Sequence, residues 1–392
     1  MSIPTSSELD VLGVDAIRAR HTFKWTAHQS DVLPLWVAEM DYPTAEPIMD
    51  ALRQAVERQE FGYPAQPQHT EIREAVAGWS LNRYGWQVDP ERVHLLPDVV
   101  RGVELALDSF SPAGSPVILP APAYHPFFAI AQKLGREVIQ IPMGTEHPNP
   151  LNLEALEKAL AAGAKTLLLC HPHNPLGTAM DAEELRRISQ LVQRYGARVI
   201  SDEIHAPLVY SATGHIPYAS ISDEAATHTI TLVSASKAWN LAGLGCAQVI
   251  LSNDADNARW LALPMVQTHG VTPLGVRANI AAYTQGGEWL DSVTSYLAGN
   301  RQLLGELLTQ HIPQINYKVP EATYLGWLDC RALELPSEPA DFFLEHAKVA
   351  LSSGLPFGMG GTGHARLNFA TTRPLIERAV ESMADAIQKM RQ

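Results

Sequence analysis

Thr229-Ile230-Thr231-Leu232-Val233-Ser234-Ala235-Ser236-Lys237-Ala238-Trp239-Asn240 is an apolar, β-branched run that stops at two serines and a lysine, then continues into Leu241-Ala242-Gly243-Leu244-Gly245. A run of about four to eight such residues closing in a polar cluster reads as a buried strand. Lys237 then stands just past the end of a core strand, where open α/β sheets bind their ligands. A lysine in that place pairs with an anion or forms a Schiff base with a carbonyl cofactor. On this stretch alone an ordinary exposed loop lysine is the stronger reading. The other strand ends decide.

Strand and helix patterns alternate on both sides of it. Strands are predicted at Val93 to Leu96, Val117 to Leu119, Glu137 to Ile141, Thr166 to Cys170, Arg198 to Ser201 and Cys246 to Leu251. Helical spacing separates them at Val99 to Ser109, Tyr124 to Leu134, Leu153 to Ala161 and Ala182 to Tyr195. This order predicts an α/β fold, a large domain whose mainly parallel sheet lies between helices. Two helices precede it, Glu46 to Arg58 and Thr70 to Arg83, with the turn Phe61-Gly62-Tyr63-Pro64 between them. After Pro273 come helices at Gly275 to Tyr283, Glu288 to Gln310, Ala340 to Ala347 and Pro374 to Met390, with strands at Thr323 to Leu328 and Ala365 to Asn368. The expected division is a large domain at 46–285 and a smaller α+β domain from 1–45 and 286–392. Residues 1–45 carry few regular signals, although Asp31-Val32-Leu33-Pro34-Leu35-Trp36-Val37-Ala38-Glu39-Met40-Asp41 mixes apolar and acidic residues unusually closely.

With 392 residues, two domains sharing an interface are expected. The formal net charge of −13, with no basic run longer than a pair, argues against a nucleic-acid surface. No apolar run approaches membrane-spanning length, and Met1 to Arg20 lacks a signal-peptide core. Cys170, Cys246 and Cys330 sit in apolar contexts without metal-ligand spacing, which predicts buried thiols. A cytoplasmic, soluble protein with no membrane partner is the expectation.

The strand ends carry the chemistry. Pro97-Asp98-Val99-Val100-Arg101-Gly102 opens a helix, a place suited to a phosphate, or else Asp98 is a plain N-cap. Pro120-Ala121-Pro122-Ala123-Tyr124 presents a tyrosine to stack on a planar ligand or to pack in the core. In His171-Pro172-His173-Asn174-Pro175-Leu176-Gly177-Thr178, Asn174 is held extended by the proline and either donates to a phenolate or simply forms a turn. The two histidines lack a carboxylate at ligand spacing, so a metal is not expected. Asp202, in Asp202-Glu203-Ile204-His205, closes a buried strand, which is costly unless a cation such as a ring nitrogen pairs with it. Phosphate cradle, stacking ring, phenolate donor, carboxylate and amine together suit pyridoxal phosphate.

These motifs also carry a resemblance. Over essentially its whole length the chain resembles the fold type I pyridoxal-phosphate enzymes of the class I/II aminotransferase family, through Ala121-Pro122-Ala123-Tyr124, His173-Asn174-Pro175-Leu176-Gly177-Thr178, Ser201-Asp202-Glu203-Ile204-His205 and Ser234-Ala235-Ser236-Lys237. Within that family it is similar to the cystathionine β-lyase branch of MalY/PatB-type C–S lyases. Three stretches point there: Leu35-Trp36-Val37-Ala38-Glu39-Met40-Asp41, Asp202 through Tyr210, and Ser236-Lys237-Ala238-Trp239-Asn240.

The resemblance implies that Lys237 holds the cofactor and serves as acid and base at the substrate Cα. It implies Asp202 at the pyridine nitrogen, Asn174 at the ring oxygen and near the substrate, and Tyr124 stacked on the ring, with His205 also at the cofactor. Val99, Val100, Ser234 and Ser236 would form the phosphate cup. Arg366 would grip the substrate carboxylate through a bidentate pair, helped by the Ala38 backbone; without the resemblance it reads as a surface strand arginine. Tyr63 would reach the phosphate of a neighbouring subunit, implying a homodimer. Two departures stand out: His205 replaces a tyrosine common in aminotransferases, and Gly245 replaces their phosphate-binding arginine. The first favours a C–S β-lyase acting on L-cystathionine or a related cysteine S-conjugate, with Trp36, Tyr42 or the neighbouring subunit as candidates beyond the sulfur. An aminotransferase and a regulatory protein-binding role on the same scaffold are the alternatives.

Overall fold

The computed structural model describes residues 3–144 and 151–392. A short strand, β1 (Leu33–Pro34), precedes seven that form the central sheet. These are β2 (Val93–Leu96), β3 (Val117–Ala121), β4 (Val138–Pro142), β5 (Thr166–Cys170), β6 (Arg198–Asp202), β7 (Thr229–Val233) and β8 (Ala247–Leu251). Their spatial order is β2-β8-β7-β6-β5-β3-β4. Only β8 runs against its neighbours; the remaining pairs are parallel.

Side chains alternate between the sheet faces with period two, and each face has its own core. Leu168, Ile200 and Leu232 pack under Val103 and Leu107 of the helix Val99–Phe110. Leu167, Leu169 and Val199 face the helices Leu153–Ala161 and Ala182–Arg194, through Leu156, Leu185 and Ile188. Burial on both faces explains why the strands read as continuous apolar runs. In register, Cys170 lies beside Asp202 and Asp202 beside Leu232, so β5, β6 and β7 end together.

The C-terminal part builds β9 (Asn316–Tyr317), β10 (Leu325–Asp329), β11 (Val349–Ala350), β12 (Ser352–Ser353) and β13 (His364–Asn368). Four of them form an antiparallel sheet ordered β12-β13-β10-β9. β11 instead pairs in parallel with β1, tying the chain's beginning to its end. The helices Gly287–His311 and Pro339–Ala347 pack on Arg373–Met390. Among the described residues no helix is long and apolar enough to cross a membrane.

Most expected elements are present within a few residues, and the differences have local causes. The strand expected from Thr323 begins at Leu325, because Thr323 adopts a left-handed φ of 67° and its hydroxyl caps the Leu325 amide. The helix expected from Tyr124 begins at Pro126, a residue suited to a first turn because it has no amide to satisfy. Residues 1–45, expected to be poor in regular structure, contain the short helices Ser6–Asp10, Val14–Arg18 and Phe23–Thr26. Each is too short to display a helical period.

The acidic-apolar stretch proves to be a strap lying across the edge where β5, β6 and β7 end. Its carbonyls, outside any helix or sheet, are bound by side chains, as buried backbone groups require. Ser352 donates to the Trp36 carbonyl at 2.6 Å, and Asn368 to those of Val37 and Glu39 at 2.7 and 2.6 Å. Tyr324 donates to Ala38 at 3.0 Å, and Arg20 to Asp41 and Tyr42 at 2.8 Å each. The Asn240 amide exchanges two 2.9 Å hydrogen bonds with the Met40 backbone. The Asp41 carboxylate is buried against Lys24 at 2.8 Å and the Trp25 indole at 2.7 Å. Breaking a buried pair by removing one partner strands the other charge and costs about 3–5 kcal/mol. Lys24→Ala should therefore lower the unfolding free energy extrapolated from urea by about that much, and an unchanged midpoint would show the pair to be dispensable.

Candidate active site

A cavity of about 260 Å³ opens at the shared end of β5, β6 and β7, roofed by the strap and β13. It gathers Lys237, Asp202, Asn174, Tyr124, His205, Val99, Val100, Ser234, Ser236, Arg366 and Ala38 from segments spread over most of the chain. Tyr63 is the exception: it is 98% exposed and lies outside the cavity. Trp36 lines the wall as expected of a residue near a distal substrate group. Tyr42 does not, which corrects that expectation. It is buried, and its hydroxyl donates to the Thr371 carbonyl at 3.0 Å while its ring packs edge-on against Tyr296.

Lys237 Nζ donates to the Ala38 carbonyl at 3.1 Å. Burial lowers its pKa to about 8, Arg366 adding to the effect while Glu39 and Asp202 oppose it. An amine in that range exchanges protons readily near neutrality. Asp202 is buried and accepts one backbone hydrogen bond, from the Ile204 amide at 3.1 Å. Burial raises its pKa to about 7; the Ile204 amide opposes the rise, Glu203 adds to it and Lys237 opposes it. Glu203, its neighbour, turns away from the cavity to pair with His215 at 2.8 Å and to accept from Ser201.

Arg366, on β13, is buried with no carboxylate against it. Its guanidinium donates to Asn174 Oδ1 at 2.9 Å and to the Trp36 carbonyl and Ser352 hydroxyl at 3.2 Å each, while Nε has no partner. It also lies 5.1 Å from the Phe357 ring centroid. Burial lowers its pKa to about 10. Because Arg366 occupies the Asn174 carbonyl oxygen, the Asn174 amide hydrogens remain as donors toward a ligand. His205 is held neutral, its pKa pushed down to about 3 by burial and then by Lys237 and Arg366.

At the other end, Asp98 caps the helix by accepting from the Arg101 amide at 2.7 Å, while Val99 and Val100 present its first turn to the cavity. The N-cap reading is thus observed, and the first turn of the same helix faces the cavity. The Ser234 hydroxyl donates to the Cys246 carbonyl at 2.7 Å and accepts from the Ser236 amide at 3.0 Å. Its proton is committed to shaping the turn, and Ser236 offers the second hydroxyl of the wall. The departure at Gly245 also has a cause: its φ of 55° is left-handed, a conformation an arginine adopts only with strain.

His171 and His173 are buried outside this wall, His171 packed against His215 at 4.7 Å. Among the described residues no group of three His, Cys, Asp or Glu is placed to hold a metal. The three cysteines are free and buried. Sequence reasoning gave no role to His125, Ser352, Glu39 or Tyr324. The first two line the cavity, and Tyr324 shares the Ala38 carbonyl with Lys237. Only the odd composition of the strap signalled any of them.

The donor set has a clear charge logic. A buried carboxylate without a cation, a buried guanidinium without an anion and a softened amine surround one space. These fit a molecule bearing a cationic ring nitrogen, an electrophilic carbon and a carboxylate-bearing adduct, and so fit pyridoxal phosphate joined by an amino acid. A carboxyl whose folded pKa lies above its unfolded value holds extra protons when folded, so stability falls as pH rises between the two. For Asp202 that window runs from 3.8 to about 7. In the protein stripped of ligand, Asp202→Asn should remove this penalty. Its unfolding midpoint should therefore gain on the parent across that window, and parallel pH profiles would exclude a buried, unpaired carboxylate.

Comparison with known proteins agrees with this geometry. The model of the aminotransferase class I and II family matches residues 30–383. Cystathionine β-lyase of Corynebacterium glutamicum is 41% identical over 95% of this chain and 99% of its own. A crystal structure from Corynebacterium diphtheriae, a candidate PLP-dependent β-cystathionase, superposes with a TM-score of 0.93 at 43% identity, covering 97% of this chain and 99% of that one. The PLP-bound C–S lyase of Staphylococcus hominis gives a TM-score of 0.88 at 26% identity, covering 97% and 98%. The chain belongs to the class I and II aminotransferase family.

Proposed function

We propose that this chain is a pyridoxal-phosphate-dependent carbon–sulfur β-lyase that converts L-cystathionine or a related cysteine S-conjugate, with water, to a thiol, pyruvate and ammonia. One observation carries the reading: the Lys237 amine, softened to about 8, faces both a buried Arg366 and a buried Asp202. The 41% identity to a cystathionine β-lyase across nearly the whole chain supports the choice of reaction. His205, where many aminotransferases carry tyrosine, supports it further.

When bound, the cofactor supplies a ring that draws off the electrons left by the broken Cα–H bond. The protein's residues do the rest. Lys237 Nζ would hold the cofactor and, as a free amine, would take the Cα proton. Asp202 keeps the ring nitrogen protonated, satisfying its own charge. Asn174 donates its amide to the ring oxygen, Tyr124 covers the ring, and His205 lines the cofactor site as a neutral group. The Val99 and Val100 amides and the Ser236 hydroxyl would hold the phosphate, in a turn that Ser234 shapes. Arg366 fixes the substrate carboxylate, with the Ala38 backbone beside it, so that the Cα–H bond faces the lysine. The electron pair released at Cα breaks the Cβ–S bond, the sulfur leaves as a thiolate that takes up a proton, and the remaining unsaturated amine is hydrolysed by water to pyruvate and ammonia.

Residues 46–285 would form the large cofactor-binding domain, with 1–45 and 286–392 the smaller one. The exposure of Tyr63 suits a residue that reaches the phosphate of a second copy in a cytoplasmic homodimer. Pyruvate and free thiol should appear in equal amounts from L-cystathionine with no 2-oxo acid added. Amino-group transfer that starts only on adding an oxo acid would make the protein an aminotransferase. Lys237→Ala should abolish both turnover and the absorbance of the lysine-bound cofactor; retention of either would remove Lys237 from the reaction.

A further inference from the structure

The departing thiolate takes up a proton, and the residues assigned so far leave its source open. Lys237 would hold the proton drawn from Cα, Asp202 belongs to the ring nitrogen, and Arg366 carries its charge for the substrate carboxylate. Of the other groups on the cavity wall, His205 is buried and held neutral, and Tyr124 stays protonated because burial raises its pKa. The Ser352 hydroxyl donates to the Trp36 carbonyl at 2.6 Å, and the Cys170 thiol to the Pro172 carbonyl at 3.4 Å. Their protons are committed to the frame.

His125 has no such commitment. It occupies the N-cap of the helix Pro126–Lys133, yet its side chain makes no capping hydrogen bond. Among the described residues its ring nitrogens have no hydrogen-bond partner. The residue lines the cavity and is also exposed, so its ring can exchange protons with water between turnovers. Its position is fixed by neighbours. The ring lies edge-on to Tyr124 at 5.2 Å and to Phe357 at 5.9 Å. The Phe357 carbonyl accepts from the Ala123 amide at 2.8 Å, and its ring carries the Arg366 guanidinium 5.1 Å from its centroid. His125 thus adjoins the ring that would cover the cofactor and, across Phe357, the group that would hold the substrate carboxylate. Burial, and then Arg366, keeps its pKa below the ordinary value. A carboxylate bound to Arg366 offsets the second contribution, so the loaded site favours the imidazolium more than the empty one.

We propose that His125 is the acid that protonates the leaving sulfur: the Cβ–S bond breaks with its electron pair on sulfur, the imidazolium gives that sulfur its proton, and the neutral ring regains one from solvent. The Cα proton stays on Lys237. The proposal rests on the reading of the chain as a C–S β-lyase.

Leaving groups of different acidity test it. An alkyl thiol is a weak acid and needs the proton as the bond breaks, whereas a nitrophenyl thiol leaves readily as the thiolate. The cofactor-loaded parent and His125→Gln are each given L-cystathionine or S-(p-nitrophenyl)-L-cysteine, and pyruvate release is measured. A positioned acid contributes about 10²–10⁴-fold, so His125→Gln should lower kcat on L-cystathionine by at least about tenfold and by roughly several-fold less on the nitrophenyl conjugate. His125→Asn should show the same split, so that poor folding of one variant does not decide the matter. Equal losses on both substrates, or none on either, would overturn the role of His125 and leave the proton to Lys237. A parent that releases no pyruvate from either conjugate would instead overturn the lyase reading itself.

Discussion

Asp202 and Arg366 are buried in one cavity without being paired to each other, and the fold tolerates this only because its frame is rigid. Each would be cheaper to bury with a direct partner, since an uncompensated charge in a protein interior loses its hydration for nothing. Asp202 sits at the end of a strand flanked on both sides, where the register leaves no freedom to turn toward solvent. Arg366 lies in the middle of the smaller sheet, paired on either side by β10 and β12. Two sheets thus hold opposite charges across a gap of ligand size. A site of this kind is pre-organised: the ligand supplies the missing partners and regains what the empty site forgoes.

The strap makes that separation possible. Carbonyls from Trp36 to Tyr42 are bound by side chains from three sources: Asn240 beside the lysine, Ser352, Arg366 and Asn368 from the smaller sheet, and Lys24 and Arg20 from the N-terminal segment. Tyr324 and Lys237 share one of these carbonyls. The strap is therefore a rigid joint rather than a loop draped over the surface. A shift of any one support displaces the Ala38 carbonyl against which the lysine rests. That coupling gives a buried ion pair such as Lys24–Asp41 relevance to the site despite its lying outside the cavity.

The sheet was legible in the sequence because burial on both faces leaves continuous apolar strands, and because each strand near the site ends in a chemically marked turn. β5, for example, occupies the very residues its pattern predicts, Thr166–Cys170. That Asp202, Asn174 and Arg366 share one cavity was legible only from their combination, since each residue alone has a commonplace explanation. The strap was visible as an anomaly and unreadable as structure, because its order comes from side-chain partners up to 331 residues away and not from a local period. Tyr42 was misplaced for the same reason: an aromatic beside a site motif looks like a wall residue until Thr371 and Asn300 are seen to hold it in the core. Ser234 shows a subtler limit, in that the motif places its hydroxyl correctly but not the direction of its proton.

Gly245 shows how a backbone constraint redistributes charge. With a left-handed φ at that turn, a long side chain is disfavoured even though a Cβ there would make only ordinary contacts, with Thr272 and Pro97 at 3.6 and 3.7 Å. The end of the cavity at the helix start is lined by Asp98, Val99, Val100, Ser234 and Ser236. Backbone amides at a helix start carry only a fraction of a unit charge, and Asp98 partly offsets them. A dianionic group held there needs another donor, and Tyr63 of a second copy is a candidate with an exposed ring and hydroxyl. Cofactor retention and dimer formation would then be linked, each stabilising the other by the same free energy.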